Sequence, residues 1–248
     1  VYIERILRGT EPDGFYSIKK LGAFGADLAA VACFFDETWH QVSSLLFEEA
    51  RGWVLSQAAF CLTAVGRLEE ALEPMRSGTK MAEARQKRKN VAIAFGSLSK
   101  LRVALGQPPS AVHDARQAVA YADDYCDDFL RMWTRTTLAD ALHQQGDTAA
   151  AQDLFTEAEA LQVKQQTTYP MLYSLWGFRY GELLLRSAER AAWQVSLAMQ
   201  PPAEAAQSTC LEVSRRAVQT LEWTTRDSAP LDIGLDNFTL ARCALYQA

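Results

Sequence analysis

Asp140 and His143 are the two residues whose types and spacing come nearest to chemistry. At i and i+3 they share one face of any helix that carries them, where a carboxylate could orient an imidazole for proton transfer. A helical hydrolase or transferase built on this pair also needs a nucleophile or a third ligand, and the sequence identifies none. Polarity on a surface or in a groove is the plainer reading. Ser97-Leu98-Ser99-Lys100 and Ser17-Ile18-Lys19-Lys20 both fit SxxK, but the SDN and KTG partners of that motif do not occur. Neither do GxxxxGK[ST], GxGxxG, HExxH, GxSxG or an EF-hand loop. His40 and His113 are isolated, the first in a connector and the second a solvated residue. The sequence thus offers no catalytic residue, no metal ligand and no cofactor site, and the expectation is a chain without enzyme activity.

Charge narrows the partners. The net charge is −5 and the pI is near 5.3, which gives no general attraction to polyphosphate, so no nucleic-acid partner is expected. The run Arg85, Lys87, Arg88, Lys89 has two readings. It could grip an anionic partner, or it could serve the negative end of a helix and face Asp123, Asp124, Asp127 and Asp128. The longest apolar stretch, Leu21 to Phe35, is too short to span a bilayer and contains Asp27, so no membrane partner is expected. The five cysteines lie 28 or more residues apart without a CxxC pair, which suits reduced, mostly buried thiols and a cytoplasmic location.

The elements that must position any site are helical. The 248 residues include 39 Ala and 29 Leu against 18 Val plus Ile, and only 21 Gly plus Pro. That balance favours helices over many-stranded sheets. Hydrophobic residues make up 49% and charged ones 22%, which excludes a disordered chain. Turns recur at Gly66, Gly106 and Gly146, 40 residues apart. Each is followed at five, nine and twelve residues by compact or packing residues: Ala71, Met75, Gly78; Ala111, Ala115, Ala118; Ala151, Phe155, Ala158. Glycine suits a left-handed helix end, and the small residues share a face on which a second helix can approach closely.

Three helical hairpins follow from this pattern. First helices are expected at 46–65, 90–105 and 128–145, and second helices at 67–86, 108–123 and 147–165, with Pro108 and Pro109 in a first turn. The register predicts a fourth turn at Arg186, with Ala191, Val195 and Ala198 keeping the spacing. Pro201-Pro202 breaks it, so a helix extended past 186, a turn at the prolines, and helices at 203–225 and 231–246 are preferred. A helix over 15–35 and a connector at 36–44 precede the repeats. The boundaries are then 15–45 for the N-terminal helix and connector, 46–86, 90–123 and 128–165 for three repeats, 168–225 for an irregular fourth with an insertion, and 230–247 for a terminal helix. They form one solenoid over 1–248. The chain starts at Val1 in an immediately amphipathic register, which reads as a fragment of a longer polypeptide.

GRLEEALEPM and QGDTAAAQDLFTEAEA resemble tetratricopeptide (TPR) repeats, closely over 52–165 and loosely over 166–247. The implied fold class is an all-α, right-handed superhelical α-solenoid with a period of about 40 residues, longer than the usual 34 or so. LGAFGADLAAVACFF, RTTLADALHQQGD and SLWGFRYGELLL resemble the C-terminal helical arm of bacterial MalT-like STAND NTPases. This resemblance implies a signal-transducing assembly whose nucleotide-binding domain lies N-terminal to the chain. The repeat resemblance also implies a concave groove lined by first helices, with positions set back from each turn glycine. Transferred here they are Trp53, Ser56, Phe60 and Thr63; Ile93, Gly96, Lys100 and Val103; and Trp133, Thr136, Asp140 and His143. With Arg186 as the fourth turn they add Tyr173, Trp176 and Tyr180. An aromatic lining with a few charges suits a protein or peptide segment, or a small effector. Packing of these aromatics under neighbouring helices is the competing reading, and a purely structural oligomerisation arm is a further one.

Overall fold

A computed structural model describes residues 16–19, 21–197, 204–223 and 230–247. The chain divides into two compact units, 1–125 and 126–248, each an array of antiparallel helices. In the first, α1 (Tyr16–Lys19) and α2 (Phe24–Ala32) precede a two-stranded hairpin, β1 (Phe35–Glu37) and β2 (Gln41–Val42). Then come α3 (Glu48–Ala64), α4 (Leu68–Ala84), α5 (Arg88–Ala104) and α6 (Pro108–Tyr125). The second holds α7 (Asp128–Gln145), α8 (Thr148–Gln165), α9 (Ser174–Ser196), α10 (Glu204–Trp223) and α11 (Pro230–Gln247).

The hairpin repeat has a clear backbone cause. Gly66, Gly106 and Gly146 take φ of +79°, +69° and +99°. After each, the next amide reaches back five residues: Arg67 to Leu62 (2.9 Å), Gln107 to Arg102 (2.8 Å) and Asp147 to Leu142 (3.0 Å). These are Schellman closures, which satisfy carbonyls a helix end would otherwise leave open. Between hairpins, Gln86 (φ 53°) and Cys126 (φ 60°) also turn left-handed, without glycine. Left-handed residues therefore fall at 66, 86, 106, 126 and 146, one every 20 residues. The seam residues Ala71, Ala111, Ala115, Ala118, Ala151, Phe155 and Ala158 are fully buried. Arg102 and Asp114 add an ion pair of 3.0 Å between α5 and α6, both well buried.

Two expectations need correction, and at Arg186 the preferred alternative applies. The helix over 15–35 is interrupted, because Gly22 turns left-handed at φ +59° between α1 and α2; Ser17 then donates a 2.7 Å hydrogen bond to the buried Asp27 across that break. The connector at 36–44 is mostly the β1/β2 hairpin, pairing Phe35 with Val42 and Glu37 with Gln41. Its Trp39 (φ 66°) inserts into the core of α2, α3 and α4 beside Leu28, Cys61 and Ala71, with Phe35 edge-on at 5.3 Å. Arg186 is not a turn, since α9 runs through it to Ser196, as the extended alternative expects. The Pro201-Pro202 turn lies outside the described residues.

The 20-residue rhythm ends after α8. Gln166 has φ −135° instead of a left-handed value, and residues 167–173 form an irregular link. Glu159 holds it by accepting from the Leu172 amide (3.0 Å), and Gln162 donates to the Tyr169 carbonyl (3.1 Å).

Candidate functional site

Within the first unit, α3, α4 and α5 enclose an open cavity of about 640 Å³. Helix α3 presents Trp53, Ser56, Phe60 and Thr63, one residue per turn along a single face, and α5 presents Asn90, Ile93, Ser97 and Lys100 in the same way. Of the positions read from the repeat, Trp53, Ser56, Phe60, Thr63, Ile93 and Lys100 line one cavity. Gly96 is buried, and Val103 is not among the lining residues. The floor comes from α4, which sequence reasoning left out: Met75, Gly78, Ala82 and Arg85 recur at helical spacing and face the cavity. At Gly78 α4 lies close on α3: a Cβ there would sit 3.6 Å from the Leu55 Cβ, an ordinary contact. The α4 face was legible as the seam pattern; its second role was not.

The walls are largely apolar, and three of their hydroxyls are internally satisfied. Ser56 donates to the Gly52 carbonyl at 2.9 Å, Thr63 to Ala59 at 2.7 Å and Thr79 to Met75 at 2.8 Å. Phe60 is nevertheless 47% exposed and Ile93 40% exposed, large apolar area for a soluble surface to leave open in one concavity. Phe24 of α2 touches the Phe60 ring at 5.8 Å. At one end stands the basic run: Arg85 is 3.7 Å from Glu48 and Lys87 3.9 Å from Glu49. Arg88 pairs with Asp124 (3.8 Å), and Lys89 lies over the Tyr125 ring. Asp127 instead caps α7 through the Leu130 amide (2.8 Å), and Asp128 pairs with Lys164 (2.9 Å).

The second-unit positions divide between packing and surface. Thr136 is buried and donates to the Trp133 carbonyl at 2.8 Å. Tyr180 is buried too, stacked on Phe155, with its hydroxyl accepting from Gln152 (2.7 Å). Tyr173 and Trp176 belong to a half-exposed aromatic cluster with Phe129, Tyr169 and Trp223, ring centroids 5.2 to 6.4 Å apart. Asp140 is 3.5 Å from Arg179, which also binds Glu182 (2.8 Å), and Arg242 continues the chain to Glu182 and Glu189 (3.1 and 3.2 Å). Burial raises the Asp140 pKa against the pull of Arg179 and Gln144. Burial lowers that of His143, whose Nδ1 lacks a hydrogen-bond partner. The arrangement is that of a carboxylate committed to an ion-pair network beside an imidazole held neutral.

Of the remaining candidates, His40 and His113 are exposed, and Ser17 is occupied by Asp27. Among the described residues there is no cluster of His, Cys, Asp or Glu able to hold a metal ion. No helix among them is long and apolar enough to cross a membrane.

Comparison with known proteins agrees with the fold. The family described as "Tetratricopeptide repeat" matches residues 132–155, most of α7 through the first half of α8. No curated protein matches the sequence. Among solved structures, a single-site variant of nearly identical TPR-like repeats from a Podosopora anserina kinesin-light-chain candidate is 19% identical, with 82% of this chain and 89% of that chain covered at a TM-score of 0.51. The parent repeats are 17% identical, with 80% and 86% covered at a TM-score of 0.48. The chain is therefore similar in fold to TPR-like repeats: an all-α solenoid of helical hairpins with a tetratricopeptide-repeat signature over residues 132–155.

Proposed function

We propose that this chain is a non-catalytic recognition module whose α3, α4 and α5 groove captures its partner. TPR-like repeats typically mediate protein–protein interaction. The observation that carries the reading is the cavity of about 640 Å³ in which Phe60 and Ile93 stand exposed, with Trp53 half-buried beside them, on facing first helices. Apolar side chains held open in a concavity bind by releasing water, and the rigid hairpins on either side keep the entropic cost of ordering the site low. Trp53, Phe60 and Lys100 are assigned to recognition; Trp133, Tyr173 and Trp176 form a subsidiary surface in the second unit. In the wider reading, the module is the sensor or scaffold arm of a cytoplasmic bacterial STAND-type NTPase, with a nucleotide-binding domain N-terminal to it. Capture of a protein segment or small effector by the arm would release that domain.

The test is a selection of peptides and metabolites on the whole chain, repeated on Trp53→Ala, Phe60→Ala and Trp133→Ala. Ligands lost with either groove substitution and kept with Trp133→Ala support the assignment. Ligands indifferent to both groove substitutions sink it. ATP hydrolysis or any turnover by the purified chain that disappears with Asp140→Ala would restore the enzyme reading.

A further inference from the structure

Polar groups at one end of the cavity lack hydrogen-bond partners among the described residues. Arg85 ends α4 and lies over Gly52, its Nη1 3.8 Å from where a Cβ there would stand. Its side chain is only 22% exposed, yet its closest carboxylate, on Glu48, is 3.7 Å away and itself 72% exposed. No hydrogen bond joins the guanidinium to any described residue. A guanidinium carries five donors in a planar fork and keeps its charge at any physiological pH, so this is an unfilled site for a planar acceptor. Asn90 lines the same end with an amide that has no partner among the described residues, and Lys87 adds a second positive charge. Glu49, the acidic residue of the rim, is 82% exposed and drawn to Lys87. Away from this end the wall is Trp53, Phe60, Met75 and Ile93.

We propose that the cavity binds a small amphipathic carboxylic acid, its carboxylate in the fork of Arg85 and its apolar body along Trp53 and Phe60. This rests on the groove being the recognition surface. Charge complementarity selects the head group: a planar carboxylate takes two parallel hydrogen bonds from one guanidinium. Size selects a small molecule, since about 640 Å³ falls within the roughly 300–1,000 Å³ of small-molecule sites. The class is one polar, planar anion on an aliphatic or aromatic body.

Calorimetric titration of the whole chain with decanoate, methyl decanoate and decanol tests it. Decanoate is expected to bind on the order of tenfold more tightly than the two neutral ligands, the scale of a charge-assisted pair against a neutral one. Arg85→Gln should erase that preference, Arg85→Lys should keep part of it, and Trp53→Ala should weaken all three ligands. The ester needs no mutation, so the comparison stands even if Arg85→Gln does not fold. Equal binding of decanoate and its ester, or an unchanged preference in folded Arg85→Gln, overturns the carboxylate assignment. If that equal binding is lost in Trp53→Ala, the groove reading survives. Absence of binding by all three overturns the small acid, and the groove falls with it only if peptide capture also ignores Trp53→Ala and Phe60→Ala.

Discussion

Tyr180 lies flat on Phe155, ring centroids 4.9 Å apart and planes 12° from parallel, so that an aromatic of α9 fills the seam of α8. Both rings are buried, and the Arg216 guanidinium covers Tyr180 at 5.0 Å. The residue that sequence spacing places in a groove thus holds two helices together. Phe155→Ala should cost about 3–5 kcal/mol, the usual loss for an emptied aromatic site. Tyr180→Phe should cost only about 0.5–1.5 kcal/mol, because it removes one hydrogen bond from Gln152 and keeps the stack. Urea denaturation of the two variants checks the order, and equal losses would contradict it.

Gly106 isolates the backbone contribution to the repeat. A Cβ there would meet nothing within 4 Å, and φ is +69°. The cost of substitution is then conformational alone. Gly106→Val should destabilise by about 1–2 kcal/mol, and Gly106→Asn by less, since Asn tolerates the left-handed region. An unchanged melting temperature for Gly106→Val would remove the Schellman turn as the origin of the hairpin.

The turns, the seams and most of one groove wall were legible because each follows from a local rule. Glycine marks three left-handed ends, and alanines at fixed offsets mark close helix contact. Gln86 and Cys126 were not legible, since nothing in either side chain announces a positive φ; the length of the flanking helices imposes it. The hairpin around Trp39 was hidden for a similar reason, its Phe35 reading as the end of the apolar helix and its Val42 as part of the polar connector 36–44. Arg85 read as part of a basic helix end. Its place over Gly52 depends on a helix that begins 37 residues earlier, and no local pattern encodes that approach. Tyr180 reads as a groove residue in the sequence because the register is carried to Arg186, past the point where the 20-residue rhythm stops at Gln166.

The five thiols should separate into two classes. Cys33 and Cys126 are exposed, whereas Cys61, Cys210 and Cys243 are buried. Burial, aided by the negative charge of Asp27, pushes the Cys61 thiol up to about 11, and burial raises Cys210 and Cys243 as well. The thiolate is the reactive form, so the buried set is doubly protected. Alkylation of the native chain at about pH 8 should label Cys33 and Cys126 quickly, and the other three only after denaturant is added. Rapid native labelling of Cys61, read by mass spectrometry, would contradict this placement.

Asp140 and His143 should leave opposite signatures in the pH dependence of stability. Burial lowers the His143 pKa below 6.5, outweighing the support of Asp140 and Glu182 and joined by the repulsion of Arg186 and Arg179. The unfolded chain then takes up its proton first as pH falls. The stability that neutral His143 contributes is complete above pH 6.5 and is lost as pH drops through the lower, folded value. Burial raises the Asp140 pKa above 3.8 in spite of Arg179. Its contribution has the reverse sign, complete below pH 3.8 and lost as pH rises through the folded value. Between about pH 7.5 and pH 5.5 the wild type should therefore lose more melting temperature, or gain less, than His143→Gln. Asp140→Asn removes the attraction that supports the imidazolium, so the folded His143 value should fall further and the loss should extend to lower pH. Parallel curves for wild type and His143→Gln across this range would mean that the imidazole is not desolvated in solution.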